Sequence, residues 1–138
     1  MSPQLPQEGD DLEAEGIPEG GELVVFRVML TDDPGSAAFV QSFKSRSELG
    51  LPPRRGTPEE AHPALSQGIS VFESREAAIQ TAKSVRQRGR DIGGYVAELR
   101  LTAGTGVRLF RWGARGHLTL WGDSLMLSQN VVDTIAID

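Results

Sequence analysis

Cysteine is absent from this 138-residue chain, which excludes a disulfide scaffold, a thiolate nucleophile and the usual structural zinc sites. Histidine is almost as scarce. With only His62 and His117 available, a metal centre would have to gather carboxylates from scattered positions, so no metal is expected. No apolar run approaches the ~20 residues of a membrane-spanning helix, and no membrane partner is expected. Lysine and arginine are missing from residues 1–22, which also lack the apolar stretch of a secretory leader. The expected location is the cytoplasm.

Acids crowd the same segment: Glu8, Asp10, Asp11, Glu13, Glu15, Glu19 and Glu22. The formal net charge of -5 therefore divides into -7 for this segment and +2 for the remainder. Pro, Gly and acids without an apolar period bury too little surface to offset the entropy of ordering. This composition predicts a disordered acidic arm over 1–22, either a competitor for basic surface or a solubilising extension. The length left over suits one domain, 23–138.

Residues 23–30 (Leu-Val-Val-Phe-Arg-Val-Met-Leu) form an apolar run broken by Arg27, the pattern of a central strand covered on both faces. A short helix is predicted over 36–47, with Ser36 as its cap and Phe39, Val40 and Phe43 on one face. The proline-rich stretch 50–67 reads as a long surface loop. A strand is expected at 68–72, after which Ser74 caps a helix with Ala77, Ala78, Thr81, Ala82 and Val85 on one narrow face. Such small side chains let a helix approach a sheet closely. Lys83, Arg86 and Arg88 then meet the negative end of that helix, and Gly89 terminates it. Alternation predicts further strands at 95–101, 107–112, 118–121 and 131–137, with a hairpin at 113–116 and one helical turn within 122–130. Strands grouped in this way argue for an α+β domain with a mainly antiparallel or mixed sheet and two helices.

Three features carry candidate chemistry. An arginine in an apolar strand must meet a carboxylate, carbonyls or an anionic ligand. Arg27 therefore pairs with Glu98 or Asp133, faces outward from an edge strand, or binds a phosphate. His117, Thr119 and Trp121 share one strand face; either they line a pocket with Asp123, or Trp121 is a core anchor and His117 is solvated. The cations Arg75, Lys83, Arg86, Arg88 and Arg90, with Arg54 and Arg55, make either a nucleic-acid surface or a solvated helix face, with Tyr95 the only aromatic nearby. Gly68-Ile-Ser70 matches just the first half of a nucleophile elbow.

In the order of its elements and in these residues, the stretch of about residues 23–137 resembles the ADP-ribosyltransferase-like domains of bacterial toxins and their relatives, which have a split sheet. Phe26-Arg27-Val28 resembles the family's first core strand, Gly68-Ile-Ser-Val-Phe72 its Ser-bearing second, and Glu73-Ser-Arg-Glu-Ala-Ala78 the start of the following helix. The block Gly116-His-Leu-Thr-Leu-Trp-Gly122 is also similar to one in small actinobacterial proteins of no assigned function. The resemblance implies NAD as substrate and a role as toxin or modifying enzyme. It implies cofactor-binding roles for Arg27 (phosphate), Ser70 (nicotinamide ribose) and Trp121, with His117 and Asp123 as catalytic residues. The chain departs from the family in having no Glu-x-Glu pair; its late acid is Asp123, one methylene shorter, with Gln129 as a substitute. The alternative is a non-catalytic binding module that uses the same cleft, or the basic helix, for an antitoxin-like or other protein partner or for nucleic acid. A purely structural or immunity-like protein is the third reading.

Overall fold

Arg27 lies in the middle of the longest pairing in the molecule, and the fold is most easily built outward from it. The computed structural model describes residues 14–52, 62–111 and 116–137. Its strands are β1 (Glu15–Gly16), β2 (Glu22–Met29), β3 (Ile69–Phe72), β4 (Tyr95–Thr102), β5 (Arg108–Arg111), β6 (His117–Trp121) and β7 (Val131–Ala136). They form one sheet in the order β1-β5-β6-β3-β2-β4-β7, with every neighbouring pair antiparallel. Three helices, α1 (Ala37–Gln41), α2 (Arg75–Gln87) and α3 (Ser124–Gln129), complete a single α+β domain. Short 3-10 turns at Pro63–Gln67 and Ala103–Thr105 link them.

Alternation sorts the apolar side chains onto two faces. Leu23, Val25 and Met29 of β2 join Ile69, Val71, Leu99, Leu118 and Leu120 in the larger cluster, closed by Phe39 and Phe43 near α1 and Leu127 of α3. Phe39 and Phe43 meet edge to face at 5.8 Å. The intervening residues Phe26 and Val28, with Phe72 and Val96, form the second cluster beneath Ala78 and Ala82 of α2. A strand covered on both faces has to be apolar at consecutive positions, which is why residues 23–30 show almost no alternation.

Helix α2 follows its sequence signals closely. Ser74 Oγ accepts from the Ala77 amide at 3.1 Å, and the small residues Ala78 and Ala82 are buried. Past the helix, Gly89 adopts φ 86° while the Arg90 amide reaches back to the Val85 carbonyl at 3.1 Å. A left-handed glycine at this place ends a helix without Cβ strain. Helix α1 is shorter than the 36–47 expected. Ser42 Oγ donates to the Ala38 carbonyl at 2.9 Å, and Ser45 and Glu48 then exchange side-chain-to-backbone bonds of 3.1 Å each. Serines offer the backbone local partners, and here these take over from the helix.

The boundary of the fold also differs from the expected 22/23. Glu15 and Gly16 pair with Leu109 and Arg108, and Ile17 packs against the larger cluster. Arg108 donates to the Ala14 carbonyl at 2.7 Å, and Arg111 meets Glu15 at 3.3 Å. Two acids thought to lie outside the fold, Glu15 and Glu22, thus belong to edge and central strands. The rest of the arm, 1–13, lies outside the described residues, as do Arg54, Arg55 and 112–115, which include most of the hairpin expected at 113–116.

Candidate functional site

The β4–β7 ladder shifts register between Glu98 and Leu99, but the pairing is thinnest between β2 and β3. Strand β2 pairs with β4 from Glu22 opposite Thr102 to Met29 opposite Tyr95, whereas β2 and β3 are paired only at Phe26 opposite Phe72. A seam therefore opens beside Arg27. Its guanidinium fills the place of the missing ladder: Nε donates to the Ser42 carbonyl at 3.0 Å and Nη1 to the Ser70 carbonyl at 2.7 Å. Bonds from a charged donor to a carbonyl contribute about 1.5–3 kcal/mol each, so these two hold the guanidinium plane firmly.

This geometry settles which partner Arg27 has. Glu98 stands opposite Phe26 and Asp133 opposite Glu98, so both carboxylates lie on the α2 face, whereas Arg27 alternates to the face of Val25 and Met29. Glu98 binds Arg75 at 3.2 Å and Arg100 at 3.3 Å, and Asp133 meets Arg75 at 3.9 Å. The guanidinium of Arg75 also lies 5.8 Å from the centre of the Phe26 ring, a cation–π contact. Arg75 therefore belongs to a clamp between α2, β4 and β7 and not to an outward basic stripe. Only the strand register reveals this; parity in the sequence does not say which strands are neighbours.

Ser70 lies on β3 opposite Thr119 of β6, and Phe72 lies opposite His117. The His117 imidazole stacks on the Phe72 ring at 5.3 Å with an interplanar angle of 25°. It is thus packed in the sheet, not solvated at the strand start. Burial pushes its pKa below the ordinary 6.5, so at neutral pH the ring is uncharged. Thr119 and Trp121 continue the same strand face and are also buried. The Trp121 indole donates to the Ala64 carbonyl at 3.0 Å and so anchors the turn Pro63–Gln67 on β6. Gly68 is part of this packing. A Cβ there would stand 2.7 Å from Thr119 Cγ2 and 2.9 Å from the Leu120 carbonyl, so the Gly68-Ile-Ser70 half motif reflects close packing.

Asp123, two residues past β6, is the N-cap of α3, its Oδ2 accepting from the Met126 amide at 3.0 Å. Gln129 is exposed at the far end of the same helix. The candidate residues thus fall into two groups. Arg27 and Ser70 are joined directly through the Ser70 carbonyl, and Ser70 is joined to Thr119 by register. His117, Thr119 and Trp121 alternate with Leu118 and Leu120, so they face away from Arg27. The Ser70 side chain, opposite Thr119, lies on that second face too, so only its backbone carbonyl reaches Arg27.

The end of α2 presents a different kind of polar surface. Lys83, Arg86, Arg88 and Arg90 are all exposed at the C-terminal end of α2. Among the described residues, no group of three or more His, Asp or Glu could hold a metal ion, and no helix is long and apolar enough to cross a membrane. The fold and site together define a single-domain α+β protein organised around an arginine-bridged seam. No family model, curated protein or solved structure matches this chain.

Proposed function

We propose that the chain is an NAD-utilising, ADP-ribosyltransferase-like protein, a toxin or modifying enzyme, that takes the dinucleotide at the seam between β2 and β3. The single observation that supports this reading is Arg27. A guanidinium held by the Ser42 and Ser70 carbonyls, where two central strands part, is a preorganised cation for a diphosphate. This reading has the dinucleotide pass through the seam, since Ser70, bordering the nicotinamide ribose, and the neutral His117, contacting ribose or base, face away from Arg27. Trp121 acts from behind, holding β6 in register through its bond to Ala64. Asp123 is the acid opposite an oxocarbenium-like ribosyl carbon. The bond from that carbon to the nicotinamide nitrogen breaks, nicotinamide leaves with the electron pair, and an acceptor nucleophile attacks the carbon and loses its proton.

A non-catalytic binding module remains the second reading, and one observation favours it: the Asp123 carboxylate already caps α3. NAD turnover by the full chain separates the two. The catalytic reading expects nicotinamide release that is lost in Arg27→Lys, a variant that keeps a cation in the seam without the two-pronged bonding, and in Asp123→Asn. Asparagine still caps a helix, so a loss there reports on the charge and not on folding. Dinucleotide binding without turnover would favour the module. No binding, or turnover unaffected by Arg27→Lys, would reject the seam as the site.

A further inference from the structure

Outside the end of α2, the described arginines are each committed to a partner. Arg27 binds the Ser42 and Ser70 carbonyls, and Arg46 binds the Pro52 carbonyl. Arg75 and Arg100 share Glu98, Arg108 takes the Ala14 carbonyl, and Arg111 bridges Glu15 and Glu73. The arginine exceptions are gathered in one place, with Lys83 beside them. The side chains of Lys83, Arg86, Arg88 and Arg90 are exposed and make no hydrogen bond or ion pair among the described residues. They occupy about one and a half turns and a little beyond, and only part of their charge is offset by the helix's own negative end.

The sequence contains the complementary object. Glu8, Asp10, Asp11 and Glu13 fall within six residues, and no Lys or Arg precedes Arg27. Strand β1 anchors this segment to the sheet at Glu15. Helix α2 lies over β2, β3 and β4. From β1 to β3 or β2 is three or four strand spacings, about 14–19 Å, and the helix layer stands ~10 Å above the sheet. Glu8 stands six residues before Ala14, up to ~20 Å of extended chain, and the long side chains of Glu8 and of the facing cations close what is left of the crossing, so the outer acids of the segment can reach. A nucleic acid fits the surface less well. None of the described aromatic side chains is exposed, so none of these offers a base an open stacking platform.

We propose that the acidic segment 8–13 docks within its own chain on the basic end of α2, as a built-in polyanion that an external acidic partner must displace. The inference is independent of the seam and of NAD.

The chain's lysine content allows a direct test, because Lys44 and Lys83 are the only two lysines. Carbodiimide treatment of the full chain joins carboxylates to amines that touch them. The expected product is a monomer in which Lys83, and not Lys44, is linked to a carboxylate of 8–13. In a parallel arm, a labelled hexaglutamate peptide is titrated into the full chain and into the variant E8Q/D10N/D11N/E13Q. At low salt the variant is expected to bind about tenfold more tightly, and the difference should close as salt rises. Replacing Lys83, Arg86, Arg88 and Arg90 by Gln should abolish peptide binding in either background. A linkage found only in dimers would assign the surface to a second copy. Equal peptide affinity in the two chains, or preference for a single-stranded oligonucleotide that is insensitive to the arm, would also overturn the proposal.

Discussion

Arg27 and the four cations of the α2 terminus carry the same charge in opposite circumstances. Arg27 lies half-buried between strands and gives two of its donors to the Ser42 and Ser70 carbonyls, so its charge does structural work before any ligand arrives. The side chains of the α2 cations make no bonds among the described residues, and their effect is a field extending about a Debye length into solvent. The difference is one of solvent. An arginine withdrawn from water must be satisfied by protein groups, whereas an exposed one is satisfied by water and remains available to a partner.

The comparison can be broken most severely at Trp121, whose burial and bond to Ala64 support the seam side of the sheet. Trp121→Ala should cost about 4 kcal/mol in denaturant unfolding; a loss below ~1 kcal/mol would mean that the turn Pro63–Gln67 is not held there. Arg27→Ala comes next, at about 3 kcal/mol, because it also strands two carbonyls. A small effect would show that water replaces the guanidinium easily. Gly68→Ala should cost roughly 2 kcal/mol through its collision with Thr119 and the Leu120 carbonyl, read from the same unfolding curves.

A gentler probe is pH. Burial holds the His117 pKa below 6.5, so as pH falls the unfolded chain takes up the proton before the folded one does. Its contribution is therefore complete above about pH 6.5 and is lost progressively as pH falls below that value. The gap in urea midpoint between pH 7.5 and 5 should narrow in His117→Phe; an unchanged gap would assign the acid sensitivity to other groups. The smallest effect on stability is expected at the α2 terminus. Arg86→Gln with Arg88→Gln should leave the thermal midpoint unmoved while strengthening retention on an anion exchanger. A lower midpoint would show that these cations are structural after all.

Local signals read well wherever the physics was local. The Ser74 cap, the Ala78 and Ala82 contact face and the Gly89 stop of α2 were all legible, because each depends on residues within a turn or two. So was the doubly covered strand carrying Arg27, from its unbroken apolar run. The helix expected over 36–47 stopped at Gln41 because Ser42, Ser45 and Glu48 bond to nearby backbone, a competition that periodicity does not register. The arm was misjudged at its inner end, where Glu15 and Gly16 gain strand partners from residues nearly a hundred positions away.

The candidate site was legible only in its parts. The sequence by itself determined that Arg27 would need a partner and that His117, Thr119 and Trp121 would share a face, since strand alternation and the cost of burying charge act residue by residue. It also determined the separation of an acidic segment from a slightly basic body. Which partner Arg27 takes, and on which side of the sheet each side chain emerges, were decided by register and strand order. Those are long-range choices, made when β2 pairs fully with β4 but at one position with β3, and when Glu98 and Asp133 close on Arg75. Neighbours in a sheet are selected by the packing of the whole core, so no segment read alone contains that information.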